Sequence, residues 1–268
     1  MREAVSAGLP IILSPGEAAE FSLPARPDLA AVRAALAGAP IDAIATPGAG
    51  RRKKLLVADM DGTIVTGESL DELAAFAGKK EEVAAITRAG MNGEIDFAEG
   101  LRRRVAMLKG LPVSALEQTW RGLRFSAGAR ALVATMRAHG ASTALVSGGF
   151  SFFTGRVAEA LGFDCDRANV ILHDGQRLTG LVAEPIRDRT DKLATLRELS
   201  AARNLPLAAT LAVGDGANDL PMLLAAGLGI AYRAKPMVAA AAAARVDFAD
   251  LRALLFAQGF HRSEIVEA

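Results

Sequence analysis

Four short apolar runs recur along this chain: Leu55-Leu56-Val57-Ala58, Ser142–Val146, Leu211–Val213 and Leu228–Ala231. The first three lead into glycine-containing turns, and helical spacing follows over Phe152–Leu161 and Leu220–Ala226. Near-continuous apolar runs alternating with helices mark parallel strands buried on both faces. The pattern predicts an α/β fold, a Rossmann-like parallel sheet with helices on both faces. Two stretches interrupt it. Residues from about 72 to 125 carry helical patterns only, at Glu81–Ala89, Phe97–Leu108 and Val113–Leu123, which predicts a helical-bundle cap inserted after the first core strand. Asp174-Gly175, between strand-like segments of Val170–Val182, predicts a short β-hairpin. Upstream, Leu29–Leu36 has helical spacing and Ala45–Gly50 reads as a linker. The expected organisation is an N-terminal appendage and linker over 1–50, a core over 51–66 and 126–268, and a cap over 67–125.

With 268 residues, 51% hydrophobic and 23% charged, the chain suits one sizeable core with smaller appendages. A net charge of +1 gives no general attraction to nucleic acid or to an anionic membrane, and the Arg51–Lys54 run reads as a solvated entry to a strand. Cys165 is the single cysteine, so no intrachain disulfide can form, and flanking Asp164 and Asp166 disfavour a reactive thiolate. Glu3, Pro10 and Pro15 interrupt any leader-like pattern, and the alanine run Ala239–Ala244 is too short to span a bilayer. The expectation is a cytoplasmic monomer or homodimer with a small-molecule substrate and neither nucleic-acid nor membrane partner. His139, His173 and His261 have no metal-ligand spacing.

Ligands of open α/β sheets gather at the carboxyl ends of the strands. The polar residues just past the apolar runs are Asp59 and Asp61, then Ser147-Gly148-Gly149, then Asp215, Asn218 and Asp219. Four neighbouring carboxylates cannot all stay ionised without a cation. An oxygen-rich site suits Mg2+, which shares its shell with waters and phosphate. A carboxylate can then attack phosphorus, and a second acid two residues on can protonate the leaving alkoxide. Alternation along an extended strand would place Asp59 and Asp61 on one face, with Met60 opposite.

Asp59-Met60-Asp61-Gly62-Thr63 closely resembles the first motif of the haloacid dehalogenase-like (HAD) phosphatases. Ser147-Gly148-Gly149-Phe150 is similar to their second, Lys192 to their third, and Gly214-Asp215-Gly216-Ala217-Asn218-Asp219 to their fourth. The helical insert falls where that family carries its first cap. The resemblance implies Asp59 as nucleophile and Asp61 as general acid/base. Ser147, Gly148 and Lys192 would hold the phosphoryl oxygens, and Asn218 phosphate or water. Asp59, the Asp61 backbone carbonyl and Asp215 would ligate magnesium, with Asp219 supporting them from behind.

Within that family the chain looks like the phosphoserine-hydrolysing branch over nearly all of Lys54–Phe260. Glu68 matches the glutamate that receives the substrate ammonium. Met91-Asn92-Gly93-Glu94-Ile95-Asp96-Phe97 and Leu101-Arg102-Arg103-Arg104-Val105 resemble the closing cap segment. Met91 and Phe97 would shield the site, Arg104 would bind the serine carboxylate and Gly149 would line the substrate pocket. An Arg fork suits a carboxylate and a Glu suits an ammonium. The expected reaction is hydrolysis of O-phospho-L-serine to serine and phosphate, the last step of serine biosynthesis. Two alternatives stand beside it: another small phosphomonoester or a homoserine-like phosphoryl acceptor, and a non-catalytic phospho-ligand-binding module. Each assignment also has a plain structural counterpart. Ser147 could cap a helix, the three consecutive arginines could form a solvated face, and Met91 and Phe97 could be cap core.

Overall fold

A computed structural model of the chain describes residues 8–36, 38–91 and 94–267. A hairpin of β1 (Ile11–Ser14) and β2 (Ala18–Glu20) and a short helix α1 (Leu29–Ala35) precede the first core strand, β3 (Leu55–Ala58). Four helices follow: α2 (Ser69–Ala75), α3 (Lys80–Met91), α4 (Phe97–Ala106) and α5 (Ser114–Gly122). The chain then alternates through α6 (Ala129–Ala138), β4 (Ser142–Phe150), α7 (Ser151–Leu161) and β5 (Cys165–Asn169). After the hairpin β6 (Ile171–His173) and β7 (Leu178–Val182) come α8 (Arg189–Ala202), β8 (Thr210–Gly214), α9 (Leu220–Ala225) and β9 (Leu228–Tyr232). The last elements are α10 (Pro236–Ala241), β10 (Ala244–Val246) and α11 (Ala253–Phe256).

The core sheet has six strands in the order β10-β9-β8-β3-β4-β5, every pairing parallel. Its faces follow from the alternation of strand side chains. Leu56, Ala58, Leu145, Leu211 and Val213 enter one core with Leu132 and Met136 of α6, Phe153 and Val157 of α7, and Leu254 of α11. Leu55, Val57, Ala144, Val146 and Ala212 enter the other with Leu196 of α8, Met222 of α9 and Val238 of α10. Every residue of β3, β8 and β9 is buried, so these strands read as unbroken apolar runs. From β3 the chain steps one way through β4 to β5, then crosses to β8 and continues to β10. The sheet therefore changes direction between β3 and β8, where such folds open a crevice at their carboxyl ends.

The insert packs α2 against α3 and α5, α3 against α4, and α4 against β7. Its 110–113 segment runs beside the hairpin. Gly110 N–H donates to the Leu178 carbonyl, Leu178 N–H to Leu111, and Val113 N–H to Gln176, each at 2.8 Å. Surface pairing of Arg102 with Glu184 adds a side-chain link at 2.7 Å.

The appendage holds more structure than its sequence suggested. Its hairpin turns on Pro15-Gly16, with Gly16 in the left-handed region (φ 74°). Asp42 accepts three backbone N–H groups of the core, from Asp247 (2.7 Å), Phe248 (3.2 Å) and Ala249 (2.8 Å). Glu17–Arg252 and Glu20–Arg51 ion pairs fasten the hairpin nearby.

Candidate active site

The crevice collects side chains from four sequence-distant places. β3 ends at Ala58, and its next residue, Asp59, is buried with its backbone N–H on the Val213 carbonyl (3.0 Å). Asp61 reaches the same crevice by another route than extended-strand alternation. The chain has already turned at Met60, whose carbonyl accepts from Ile64 and Val65, and Asp61 lines the cleft from that turn. The tightness of the turn rests on Gly62. Its φ of 71° is left-handed, and a Cβ there would lie 2.7 Å from the Asp215 carboxylate.

Asp215 follows β8, and Thr63 Oγ1 donates to its Oδ1 at 3.1 Å. Asp219 sits below it, with Oδ2 accepting from Gly216 N–H (2.9 Å). Lys192, one turn into α8 and 1% exposed, places Nζ 2.6 Å from both Asp59 Oδ1 and Asp219 Oδ1. A carboxylate oxygen from each of Asp59, Asp215 and Asp219 lies within 4.8 Å of the others. Burial pushes Asp59 well above the usual carboxylate range, Asp219 and Asp215 push the same way, and Lys192 opposes them. Burial with Asp219 likewise raises Asp215 to about 6. Burial disfavours the Lys192 ammonium, but Asp219 and Asp59 more than offset this and hold it above its ordinary value.

Three carboxylates against one ammonium leave a deficit of positive charge in a buried place. A hard divalent cation on oxygen ligands would correct it, so the residues fit magnesium. Both Asp219 oxygens are already engaged, which suits a supporting position and leaves Asp59 and Asp215 as the carboxylates facing an ion.

Between Val146 and Phe150 the β4–β5 register slips, and Ser147-Gly148-Gly149, within β4, bulge toward the cleft as a short loop. Ser147 is not a helix cap, since α7 begins beyond Phe150. Its hydroxyl accepts from Gly149 N–H (2.9 Å) and donates to Asp61 Oδ2 (3.2 Å). Asp61 Oδ1 accepts from Ser69 N–H at 2.7 Å. Burial raises the Asp61 carboxyl, and the bonds from Ser69 and Ser147 only partly counter it.

The insert forms the opposite wall, where Glu68, Phe97 and Arg104 all line the crevice. Phe97 lies close over the loop, since a Cβ on Gly148 would come 2.7 Å from Phe97 Cζ. Of the three arginines, Arg102 pairs with Glu184 and Arg103 with Glu99 on the surface, while Arg104 turns inward. Burial, with Asp61 and Asp215 nearby, pushes Glu68 up to about 8, which Arg104 opposes. Asn218 and Gly149 also line the crevice. The Met91 side chain lies outside the described residues.

Two contributors were given no role from the sequence. Asn169 donates to the carbonyls of Gly148 (2.9 Å) and Arg187 (3.1 Å) and accepts from Arg187 N–H (2.7 Å). It ties the Ser147 loop to the segment entering α8, which carries Lys192. Its partners are backbone groups, so no residue pattern announces it. Thr63 stood inside a recognised motif without a role.

Residues 56–224 match the haloacid dehalogenase-like hydrolase family. The chain belongs to that family. It is 41% identical over 260 residues to the phosphoserine phosphatase of Streptomyces coelicolor, covering 95% of this chain and 63% of that protein. It is 43% identical over 213 residues to the phosphoserine phosphatase of Idiomarina loihiensis, covering 80% and 96%. Among solved structures, a phospho-aspartyl intermediate analogue of phosphoserine phosphatase superposes with a TM-score of 0.72 at 38% identity, over 76% of this chain and 98% of that one. The chain thus spans less than two thirds of the Streptomyces protein and nearly all of the Idiomarina one. Such relatives share the HAD core, to which the parallel sheet and its switch point conform. Among the described residues, no helix is long and apolar enough to cross a membrane.

Proposed function

We propose that this HAD-family chain is a magnesium-dependent phosphomonoesterase that hydrolyses O-phospho-L-serine. The observation that carries the reading is a carboxyl group and a guanidinium, Glu68 and Arg104, lining the same crevice as the buried Asp59–Asp215–Asp219–Lys192 cluster. A phosphate in the cluster would leave an ammonium and a carboxylate to be met by Glu68 and Arg104. Relatives named phosphoserine phosphatases agree with it.

The steps follow from the residues. Asp59, whose ionised form Lys192 favours against burial and a bound cation would favour further, attacks phosphorus, and the bond from phosphorus to the serine oxygen breaks as the acyl-phosphate forms. Asp61, whose burial favours its protonated form, gives its proton to the departing alkoxide. It then takes a proton from water attacking the acyl-phosphate, which frees phosphate and restores Asp59. Lys192, Ser147 and the Gly148 amide hold the phosphoryl oxygens, with Asn218 beside them. Asp59, Asp215 and the Asp61 backbone carbonyl would hold magnesium, with Asp219 orienting them. The ion supplies positive charge that offsets the carboxylates and the incoming phosphate.

We read residues 67–125 as a lid over a catalytic core of 51–66 and 126–268. Phe97 shuts water from the acyl-phosphate. We read residues 1–50 as an N-terminal appendage and linker. The setting we infer is cytoplasmic, as a monomer or homodimer. The deciding experiment compares kcat/KM for phosphoserine, phosphoethanolamine, glycerol phosphate and phosphoglycolate with magnesium present. Phosphoserine should lead by at least about tenfold, the value of one charged contact. Equal efficiencies would remove the reading, as would faster phosphate transfer to homoserine than to water.

A further inference from the structure

Arg104 is braced from behind by two residues that no motif singled out. Its Nε donates to the Gly100 carbonyl one turn back in α4, at 3.2 Å. Its Nη1 donates to Thr87 Oγ1 of α3, also at 3.2 Å. Thr87 Oγ1 in turn lies 2.8 Å from Asp71 Oδ1 of α2 and 3.1 Å from the Val83 carbonyl. A hydroxyl has one proton, and the nearer, charged acceptor takes it, so the Thr87 lone pairs face the guanidinium. Three helices of the insert therefore meet in one chain of bonds, Arg104 to Thr87 to Asp71.

The order of that chain matters chemically. A carboxylate bonded directly to Arg104 would form an ion pair that a substrate carboxylate must displace. Here a neutral hydroxyl stands between them. Asp71 fixes the direction of the hydroxyl and, from one residue further back, still favours the charged guanidinium. A guanidinium carries five N–H groups. Two are engaged by Gly100 and Thr87, which leaves three for a ligand in the crevice. Thr87 is only 6% exposed and itself lines the crevice, so water competes poorly for its hydroxyl.

We propose that Thr87, oriented by Asp71, is a positioning residue that fixes the plane of the Arg104 fork and so sets selectivity for substrates bearing a carboxylate beside the phosphate ester. The proposal rests on the phosphoserine reading and deepens it. A fork held at two of its nitrogens loses less freedom when a carboxylate docks, so the contribution belongs to substrate binding and not to phosphoryl transfer.

The test compares phosphoserine with phosphoethanolamine, which keeps the phosphate and ammonium but lacks the carboxylate. Thr87→Val removes the hydroxyl and keeps the shape, while Thr87→Ser keeps the hydroxyl. Thr87→Val should raise KM for phosphoserine about tenfold and leave kcat within about twofold. Its kinetics on phosphoethanolamine should stay within about twofold of the parent. Thr87→Ser should recover phosphoserine KM to within about threefold. Asp71→Asn, a second route to the same bond, should shift KM in the same direction by less. Equal KM changes on both substrates, or none on either, would overturn the positioning role. If Thr87→Val does not fold, the Ser and Asn variants carry the same comparison, and parental phosphoserine KM in Asp71→Asn overturns the relay. A parent protein with no preference for phosphoserine would remove the substrate reading and this proposal together. A parent with that preference and a Thr87→Val protein that keeps it would remove the positioning alone.

Discussion

Asp59 and Asp61 lie two residues apart yet meet different surroundings. Lys192 touches one, and the Ser69 amide and Ser147 hydroxyl bind the other. Differently placed carboxylates can take opposite protonation states, as a nucleophile and an acid must. Asp59→Asn should cut kcat on phosphoserine by more than about a thousandfold and abolish covalent labelling by substrate. Asp61→Asn should lower kcat by about a hundredfold to ten-thousandfold, with less loss on an aryl phosphate, whose leaving group needs no proton. Single-turnover assays with magnesium would separate the two. Full activity of either variant on phosphoserine would contradict the assignment. Removing Lys192 would be a different injury. It leaves two buried carboxylates without their ammonium, a change that typically costs about 3–5 kcal/mol of stability.

Among the elements, the Ser147 loop and α4 are coupled by contact. Phe97 begins α4, and its ring sits where a Gly148 side chain would have to go. Gly148→Ala should therefore push the insert away from the core and raise KM about tenfold or more. Added to Phe97→Ala it should cost clearly less than alone, because the clash is gone. A double-mutant cycle on kcat/KM checks this, and additive losses would mean that the ring and the loop do not meet in solution. The elements differ in how openly the sequence declared them. β3, β8 and β9 are buried on both faces, so their apolar runs stand out. β5 is an edge strand reading Cys-Asp-Arg-Ala-Asn, only partly buried, and it offers no such run. The insert helices were legible by periodicity, but the crossing that brings Thr87 to Arg104 is set by packing between distant segments. A polar residue inside an amphipathic helix gives no hint of its partner. Motif residues at the strand ends were readable because the fold itself assigns strand ends to ligands.

For the molecule as a whole, the appendage is a fastening on the core. Asp42 fills a backbone nest at 247–249, just past the edge strand β10, and satisfies three N–H groups at once. Asp42→Ala should lower stability by about 1–2 kcal/mol. That is roughly 2–4 °C in Tm by calorimetry. Activity per folded molecule should stay at the parental level, because the nest lies away from the crevice residues. An unchanged Tm would mean that the contact contributes nothing. Little of this attachment was legible beforehand, since Ile11–Ser14 is short and Asp42 acts on backbone groups some 200 residues away.

The three backbone bonds that stitch residues 110–113 to the second hairpin constrain how the crevice can admit a ligand. A door hung only on the chain segments entering α2 and leaving α5 would swing alone. This one is sewn along its far edge to a flap that leaves the core beside Asn169 and returns at Arg187. Whatever gap lets a ligand in must therefore carry the flap with it or unzip that seam. The stiffness of that ribbon should therefore help set the rate at which the crevice is entered and left.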